Sequence, residues 1–267
     1  MITDAQIHVW PAGLEEHAEK IFHRFLGPDG VLAEMDKAGV DRAVIVPPGK
    51  GANEFSLDLA RRHPTRFGVM EVLPLNRPEA RERAERWSER PAGLLGVRLA
   101  MPPWRPTSWI TDGTADWFWP VAEREGIPVM IWAPGQYDVV RRIAEQHPGV
   151  RLIIDHFGMY IDVKDDAIQS AIEPVLAMHD LPNVGVKLSA LPCYTTEPYP
   201  FANLHEPIRL AVEAFGPDRL FWGSDLTRLP CPYSQAIELF TKELPFLGAE
   251  DIEKIMGRSL STWLSWP

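Results

Sequence analysis

The chain begins with the stretch Met1-Ile2-Thr3-Asp4-Ala5-Gln6-Ile7-His8-Val9-Trp10, in which apolar and polar residues alternate. This pattern is typical of a β-strand, and the strand ends in polar and aromatic side chains. Alternation along a strand predicts that Asp4, Gln6 and His8 point to the same face. If further strands close a barrel, this strand opens it, and these three side chains face the site where chemistry is done.

Apolar runs of strand length recur along the rest of the chain. The run Arg42-Ala43-Val44-Ile45-Val46 stops at Pro47-Pro48-Gly49, and its unbroken apolar character is typical of a strand buried on both faces of a parallel sheet. Further strands are predicted at residues 67–73, 94–99, 127–132, 151–155, 184–188 and 219–222. Together with the opening strand, these runs make eight predicted strands.

Helical stretches between the strands indicate parallel crossovers. They are predicted at residues 30–38, 53–62, 78–89, 116–125, 137–146, 166–178 and 207–215, with two more after the eighth strand. Eight strands in 267 residues predict an α/β protein with one domain over residues 1–267, a (β/α)8 barrel. A doubly wound open sheet is the main alternative, but no glycine-rich phosphate loop follows the first strand.

Composition and charge narrow the possible partners. The net charge of −10 argues against nucleic acid or an anionic membrane as partner, since either would need a basic face. The sequence shows neither a secretory signal nor the roughly 20 apolar residues that cross a bilayer, so a cytoplasmic location is expected. The expected partner is a small-molecule substrate. The exposed helices of a barrel can also build a homo-oligomer, although no segment marks one.

Cys193 and Cys231 do not make a disulfide framework. They follow the seventh and eighth strands, so they can approach each other at the mouth of a barrel. Buried, inert thiols are the commoner interpretation of such a pair, ahead of a metal site.

In a barrel of this kind, chemistry takes place at the carboxyl ends of the strands. Polar or aromatic residues stand at six of the eight predicted ends: Gln6 and His8, Arg98, Trp132, Asp155-His156-Phe157-Gly158, Lys187-Leu188-Ser189, and Gly223-Ser224-Asp225. Polar residues in register at successive strand ends are hard to explain by packing alone. They therefore indicate a functional site.

Three of these stretches resemble the sequence markers of the amidohydrolase superfamily. They are Asp4-x-Gln6-x-His8-x-Trp10, Asp155-His156-x-Gly158 and Gly223-Ser224-Asp225. Within the superfamily they resemble the amidohydrolase-2, or amidohydrolase-related, group, which includes 2-pyrone-4,6-dicarboxylate lactonase, sugar lactonases and nonoxidative aromatic decarboxylases. The resemblance covers nearly the whole chain and implies a distorted (β/α)8 barrel.

The resemblance also bears on whether a metal is bound. Metal-binding members carry His-x-His on strand one, a histidine on strand five and an aspartate on strand eight, whereas this chain has Gln6 and Trp132 at two of those places. A neutral amide is a poor zinc ligand and tryptophan is none. The lactonase branch includes enzymes that work without a metal, so no cofactor is expected. The alternative is one divalent ion, zinc or manganese, held weakly by His8, His156 and Asp225.

Asp225, His156 and His8 are the predicted catalytic residues. A carboxylate at a strand end is costly to bury unless it is paired, so Asp225 is expected to act as general base, although capping the next helix is its ordinary structural role. His8 and His156, together with Lys187, are expected to donate hydrogen bonds to the substrate oxygen that gains charge. A hydrogen-bonded core histidine is the structural alternative for His156.

Other residues are predicted to bind the substrate. Arg98 and Lys187 lie in apolar strands, and they either form a structural ion pair, for instance with Asp4 or Glu71, or hold a substrate carboxylate. Tryptophans near strand ends are predicted to line a pocket for an aromatic or flat ring. The full set of predicted contacts is Gln6, Arg98, Lys187, Trp132, Trp10, Trp104, Ser189, Tyr194 and Arg228.

These observations lead to one functional hypothesis and two rivals. The hypothesis is a metal-independent hydrolase that opens a lactone or related cyclic ester on a ring that carries a carboxylate. The first rival is a metal-dependent nonoxidative decarboxylase or amide hydrolase of the same superfamily. The second is a barrel that binds a small molecule without catalysis.

Overall fold

The structure is a computed structural model, and it describes residues 1–13, 23–49, 51–102 and 108–267. Eight strands form one sheet in chain order, and neighbouring strands run parallel. They are β1 (Thr3–Ile7), β2 (Arg42–Ile45), β3 (Phe67–Val72), β4 (Leu94–Ala100), β5 (Val129–Trp132), β6 (Leu152–Ile154), β7 (Val184–Ser189) and β8 (Leu220–Gly223). The predicted (β/α)8 barrel is confirmed.

An α-helix follows each strand, as parallel crossovers require. The helices are α1 (Pro28–Ala38), α2 (Ala52–Arg62), α3 (Pro78–Glu85), α4 (Phe118–Glu125), α5 (Tyr137–Gln146), α6 (Ala167–Leu176), α7 (His205–Phe215) and α8 (Tyr233–Lys242), then α9 (Ala249–Glu253) and α10 (Ser259–Leu264). In the part of the chain that the structure describes, no helix combines the length and apolar character needed to span a membrane.

Two apolar clusters hold the barrel together. The larger lies between the sheet and the surrounding helices, and the smaller fills the barrel interior. The interior cluster consists of Ala5, Val44, Val46, Met70, Met130, Ile153 and Phe221, with Leu260, Leu264 and Trp266 from the C-terminal segment. Full burial of one large apolar side chain stabilises the fold by about 1.5–3 kcal/mol, so the two clusters supply the main driving force.

β1 contains a β-bulge that the sequence pattern does not reveal. Asp4 pairs with Ala43 and Ile7 pairs with Ile45, so β1 advances three residues where β2 advances two. The extra residue in β1 shifts the alternation of its side chains between the two faces of the sheet.

The bulge determines which side chains of β1 enter the barrel. Ala5 packs in the interior cluster, and Gln6 also points inward, where its amide contacts the interior residue Lys187. Asp4 instead faces the helix side of the sheet. The expectation that Asp4, Gln6 and His8 share one face is therefore wrong for Asp4.

The carboxylate of Asp4 joins the first strand to the last. Its Oδ1 accepts the backbone N–H groups of Gln6 and Ser224, each at 2.9 Å. Its Oδ2 accepts the hydroxyl of Tyr233 in α8 at 2.5 Å and the hydroxyl of Ser224. The backbone N–H of Asp225 also donates to the carbonyl of Gln6 at 2.9 Å. These bonds close the seam between β1 and β8.

We expect the Asp4→Ala variant to be strongly destabilised. The substitution leaves two backbone N–H groups and two hydroxyls at the seam without their acceptor. A buried polar group without a partner costs about 1–3 kcal/mol, so the free energy of unfolding in urea should fall by at least about 3 kcal/mol.

A matched control is the Asp36→Ala variant, because the carboxylate of Asp36 is exposed and pairs with Arg66 at 2.8 Å on the surface. Its free energy of unfolding should change by less than about 1 kcal/mol. Equal stabilities of the two variants would contradict a structural role for the Asp4 carboxylate.

Candidate active site

The three predicted catalytic side chains meet at the carboxyl ends of β1, β6 and β8. His8 Nε2 lies 3.3 Å from Asp225 Oδ1, and His156 Nε2 lies 3.7 Å from Asp225 Oδ2. All three residues are buried, and Asp225 is 1% exposed. A buried carboxylate between two imidazoles is an arrangement that can move a proton.

The backbone at the strand ends aims these side chains. Asp225 and His156 both have a φ of 52°, in the left-handed region that residues other than glycine seldom adopt. Such a conformation costs on the order of 1–3 kcal/mol and persists where its surroundings hold it. At Asp225 the N–H donates to Gln6, and the carbonyl accepts the N–H of Arg228 at 2.7 Å. Both turns therefore position a side chain of the site.

Gly223 allows β8 to approach its neighbours closely at the same end of the barrel. A Cβ on Gly223 would lie 3.0 Å from the Cβ of Ser189 and 3.2 Å from the backbone nitrogen of Gln6. Both distances are shorter than ordinary van der Waals contacts. Close packing therefore explains why the Gly223-Ser224-Asp225 stretch begins with glycine.

Asp225 is held in its ionised form. Burial opposes ionisation, but the hydrogen bond and charge of His8 and the charge of Arg228 hold the pKa of Asp225 well below its usual range. The guanidinium Nη1 of Arg228 lies 3.2 Å from Asp225 Oδ2. Helix α8 begins at Tyr233, well past Asp225, so the carboxylate is not the cap of that helix.

One nitrogen of His8 is fixed by the backbone. Its Nδ1 lies 2.7 Å from the carbonyl oxygen of Val46, which only accepts hydrogen bonds, so Nδ1 carries a hydrogen. Nε2 faces Asp225 and is the nitrogen that can exchange a proton with the carboxylate or with a ligand.

Two cations share one buried carboxylate inside the barrel. Lys187 Nζ lies 2.7 Å from Asp155 Oδ1, and Arg98 Nε lies 3.1 Å from Asp155 Oδ2. Burial opposes the ionisation of Asp155, but the charges of Lys187 and Arg98 keep its pKa below the usual value. Asp155 lies in the Asp155-His156-x-Gly158 stretch, and that stretch alone does not reveal its role as counter-ion to both cations.

The expectation that Asp4 or Glu71 pairs with these cations is wrong. Asp4 faces the helix side of the sheet and is occupied at the seam. Glu71 pairs with Arg83 of α3 at 3.0 Å. One sequence feature does indicate that Asp155 pairs with these cations. Asp155 follows β6, which lies between the strands that carry Arg98 and Lys187.

A chain of hydrogen bonds leads from Lys187 to His156. Lys187 Nζ donates to Gln6 Oε1 at 2.5 Å, and Gln6 Nε2 lies 3.2 Å from His156 Nε2. The other ring nitrogen of His156 lies 2.8 Å from Ser189 Oγ. Burial lowers the pKa of His156 to about 3, so its ring is neutral at ordinary pH.

Two of the three predicted tryptophan contacts, Trp132 and Trp10, lie in the part of the chain that the structure describes. Trp132 is buried, donates from its indole nitrogen to the carbonyl of Met159 at 3.1 Å, and has the Arg98 guanidinium 6.0 Å from its ring centroid. Trp10 packs edge to face on Phe25 at 5.0 Å, and Phe25 is 44% exposed. Trp104 lies outside the described residues.

The remaining predicted residues lie after β7 and β8. The guanidinium of Arg228 lies 5.8 Å from the ring centroid of Tyr194, which is fully buried. Cys193 and Cys231 are both free and buried, and burial raises the pKa of Cys193 to about 12 and that of Cys231 to about 11. Both groups are therefore thiols at ordinary pH, as the inert interpretation expects.

The described side chains around Asp225 make a poor donor set for a divalent ion. Within the described ranges, no group of three or more His, Cys, Asp or Glu side chains has the geometry to hold one. The carboxylate of Asp225 already faces the guanidinium of Arg228, with Nη1 3.2 Å from Oδ2. This positive charge would repel a divalent ion bound to the same carboxylate.

Comparisons with known proteins identify the family to which the chain belongs. A family model described as amidohydrolase matches residues 3–258 of the chain. An L-fucono-1,5-lactonase from Burkholderia ambifaria is 27% identical to this chain over 243 residues, which are 83% of this chain and 79% of that protein.

Solved structures share the fold at lower identity. An amidohydrolase from Burkholderia multivorans with bound zinc matches with a TM-score of 0.84 and 21% identity, over 100% of both chains. A probable 2-pyrone-4,6-dicarboxylic acid hydrolase from Acinetobacter baumannii, with citric acid bound, matches with a TM-score of 0.76 and 17% identity, over 99% of both chains. At these identities the likeness concerns the fold alone.

We expect the ring of His156 to stay neutral when the folded protein is acidified to pH 5. Its pKa of about 3 lies below the ordinary value of 6.5, so the unfolded chain takes up this proton first and the folded state loses stability as the pH falls between these values. The measurement is the ¹⁵N spectrum of histidine-labelled protein between pH 8 and pH 5, with His156 assigned from the His156→Gln variant.

The control is the same titration in concentrated urea, where the imidazole should protonate near its ordinary pKa. A ring that protonates near pH 6.5 in the folded protein would contradict the desolvated environment described for His156.

Proposed function

Since the chain belongs to the amidohydrolase family, we propose that it is a hydrolase that opens a lactone or related cyclic ester without a metal ion. The observation that carries the proposal is the buried, ionised carboxylate of Asp225 between His8 and His156. The similarity to an L-fucono-1,5-lactonase supports the lactone class.

Asp225 acts as general base in this proposal. It takes a proton from a water molecule whose oxygen adds to the lactone carbonyl carbon, and the carbonyl oxygen becomes negatively charged. The ring C–O bond then breaks, and the proton passes from Asp225 to the departing ring oxygen. The product is a hydroxy acid, so every proton is accounted for within the site.

The negative charge that develops on the carbonyl oxygen must be stabilised by a hydrogen-bond donor. His8 fills this role when both ring nitrogens carry a hydrogen: Nδ1–H donates to Val46 and fixes the ring, and Nε2–H faces the reacting groups. Removing a donor of this kind typically lowers the rate by about 10²–10³. Lys187 was expected to help, but its Nζ is enclosed by Asp155, Gln6 and Met130 and does not reach the substrate.

The charge beside Asp225 supports the proposal that no metal ion is required. The guanidinium Nη1 of Arg228 lies 3.2 Å from Asp225 Oδ2, so positive charge is supplied where a metal ion would otherwise be needed. Gln6 serves to orient the groups around His156 and does not act as a ligand. In this proposal His156 completes the set of groups around the attacking water.

The finer proposal is that the lactone ring carries a carboxylate, held by Arg98. Asp155 binds Nε of Arg98 and so orients its guanidinium, which also lies over Trp132. A planar guanidinium next to an indole is suited to a flat ring that bears an anionic group. Trp10 would add a second aromatic surface beside His8, since the two ring centroids are 6.4 Å apart.

The Asp225→Asn variant should lose lactone hydrolysis by at least about 10³-fold in kcat, because the amide cannot accept the proton of water. The assay uses a panel of sugar lactones and carboxylated pyrone-type lactones, with circular dichroism to verify folding. The matched control is Asp218→Asn, which removes an exposed carboxylate that pairs with Lys254 before β8 and should leave turnover unchanged.

The same assay is run on the wild-type enzyme after treatment with a chelator, with elemental analysis of the purified protein. Unchanged turnover and less than about 0.1 equivalent of metal are expected, given a donor set this poor for zinc. Turnover retained in Asp225→Asn would refute the base assignment, and turnover lost with the chelator would refute metal independence.

The Arg98→Met variant tests the substrate carboxylate. We expect KM for a carboxylated lactone to rise by about 10–100-fold, equivalent to about 1.4–2.8 kcal/mol of lost binding. KM for an uncharged sugar lactone should change much less. Equal increases for both substrates would contradict a specific role of Arg98 in binding a carboxylate.

A further inference from the structure

Lys187 is enclosed inside the barrel, yet its amino group is bonded to a residue of the site. Nζ lies 2.7 Å from Asp155 Oδ1, 2.5 Å from Gln6 Oε1 and 3.3 Å from Met130 Sδ. The side chain has no exposed surface, so it does not contact a substrate. Any effect on catalysis must pass through its neighbours.

We propose that Lys187 is a positioning residue that acts through Gln6 to hold His156 in the tautomer with its hydrogen on Nδ1. This tautomer leaves the proton-accepting role to Asp225. The proposal deepens the lactone-hydrolase function and rests on it for its catalytic consequence, while the tautomer itself can be measured without a substrate.

The first step fixes the amide of Gln6. Burial lowers the pKa of Lys187, but the carboxylate of Asp155, 2.7 Å from Nζ, opposes this shift and favours the ammonium form. An ammonium group has donors and no acceptor. The amide must therefore turn its oxygen towards Lys187 and its NH₂ group away.

The second step fixes the ring of His156. The NH₂ group of Gln6 lies 3.2 Å from Nε2 of His156 and can only donate. Nε2 must accept, so the hydrogen of the neutral ring is on Nδ1. There it is donated to Ser189 Oγ at 2.8 Å, which completes a consistent chain of donors and acceptors.

The third step concerns Asp225, whose Oδ2 lies 3.7 Å from the same Nε2. With a lone pair on Nε2, the histidine does not donate a hydrogen bond to the carboxylate. The opposite tautomer would place an N–H towards Asp225, where it would compete with the attacking water for the oxygen. Lys187 thus keeps an imidazole N–H away from this oxygen of Asp225.

If Lys187 and Asp155 formed a purely structural ion pair, the effects of Lys187 and Arg98 on the tautomer of His156 would be alike. In that case Lys187 would serve only to neutralise Asp155, and Arg98 would be its equivalent, because both cations contact the same carboxylate. Lys187 also donates a hydrogen bond to Gln6, and this contact distinguishes it from Arg98. The tautomer of His156 should therefore respond to Lys187 and Gln6 and not to Arg98.

The experiment records ¹⁵N spectra of histidine-labelled protein at pH 7 without substrate. In the wild type, His156 should carry its hydrogen on Nδ1. In Gln6→Glu, two carboxylate oxygens replace the amide, so the group facing His156 can only accept and Nε2 should become protonated. In Lys187→Met, the amide is free to turn, and the Nε2–H form should appear.

Kinetics add a second readout. The kcat of Lys187→Met for a lactone should fall at least about 100-fold with KM within about threefold, since a wrong imidazole tautomer can cost up to about 10⁴ in kcat. The matched control is Arg98→Met, in which the His156 spectrum should match the wild type. Should Lys187→Met fail to fold, Lys187→Gln replaces the ammonium group by an amide that can also accept, and it should show the same Nε2–H form of His156.

An Nε2–H signal for His156 in the wild type would overturn the proposal. An unchanged Nδ1–H signal in Gln6→Glu would overturn it too, as would a tautomer change in Arg98→Met equal to that in Lys187→Met. Failure of the wild type to hydrolyse any lactone would instead refute the proposed function, because the spectra are independent of turnover.

Discussion

The carboxylate of Asp4 is the interaction on which the rest of the structure depends. It accepts backbone hydrogen bonds from Gln6 and Ser224 and so joins the first strand to the last. The residues two positions after Gln6 and one position after Ser224 are His8 and Asp225. The bond that closes the barrel therefore also sets the distance between a candidate donor and the candidate base. Burial raises the pKa of Asp4 to about 6, which shows that this closure is maintained against a desolvation cost.

The interior of the barrel is organised by balanced charge. Asp155 is paired with Lys187 and Arg98, while Asp225 is flanked by Arg228 and His8. Two carboxylates with cationic neighbours can be buried at acceptable cost, since each is paired and hydrogen-bonded. The surplus of positive groups in the site contrasts with the net charge of −10 for the chain, and it suits a reaction in which negative charge develops on an oxygen.

The sequence allowed the barrel to be predicted because its strands are apolar runs separated by helical stretches, such as Arg42–Ile45 and Phe67–Val72. The convergence of His8, His156 and Asp225 could also be predicted, since all three follow strands. The pairing of Asp155 could not, because it depends on which interior side chains meet across the barrel. Nor could the bulge in β1 or the left-handed backbone at His156, since both arise from tertiary contacts that override local alternation.

The bulge in β1 has a consequence for how related sequences can diverge. Because it adds one residue between Asp4 and Ile7, a deletion of a single codon there would restore strict alternation. The inward and outward side chains would then exchange faces on one side of the deletion, and the seam and the site could no longer both be kept. Insertions and deletions in this strand should therefore be tolerated far less well than substitutions.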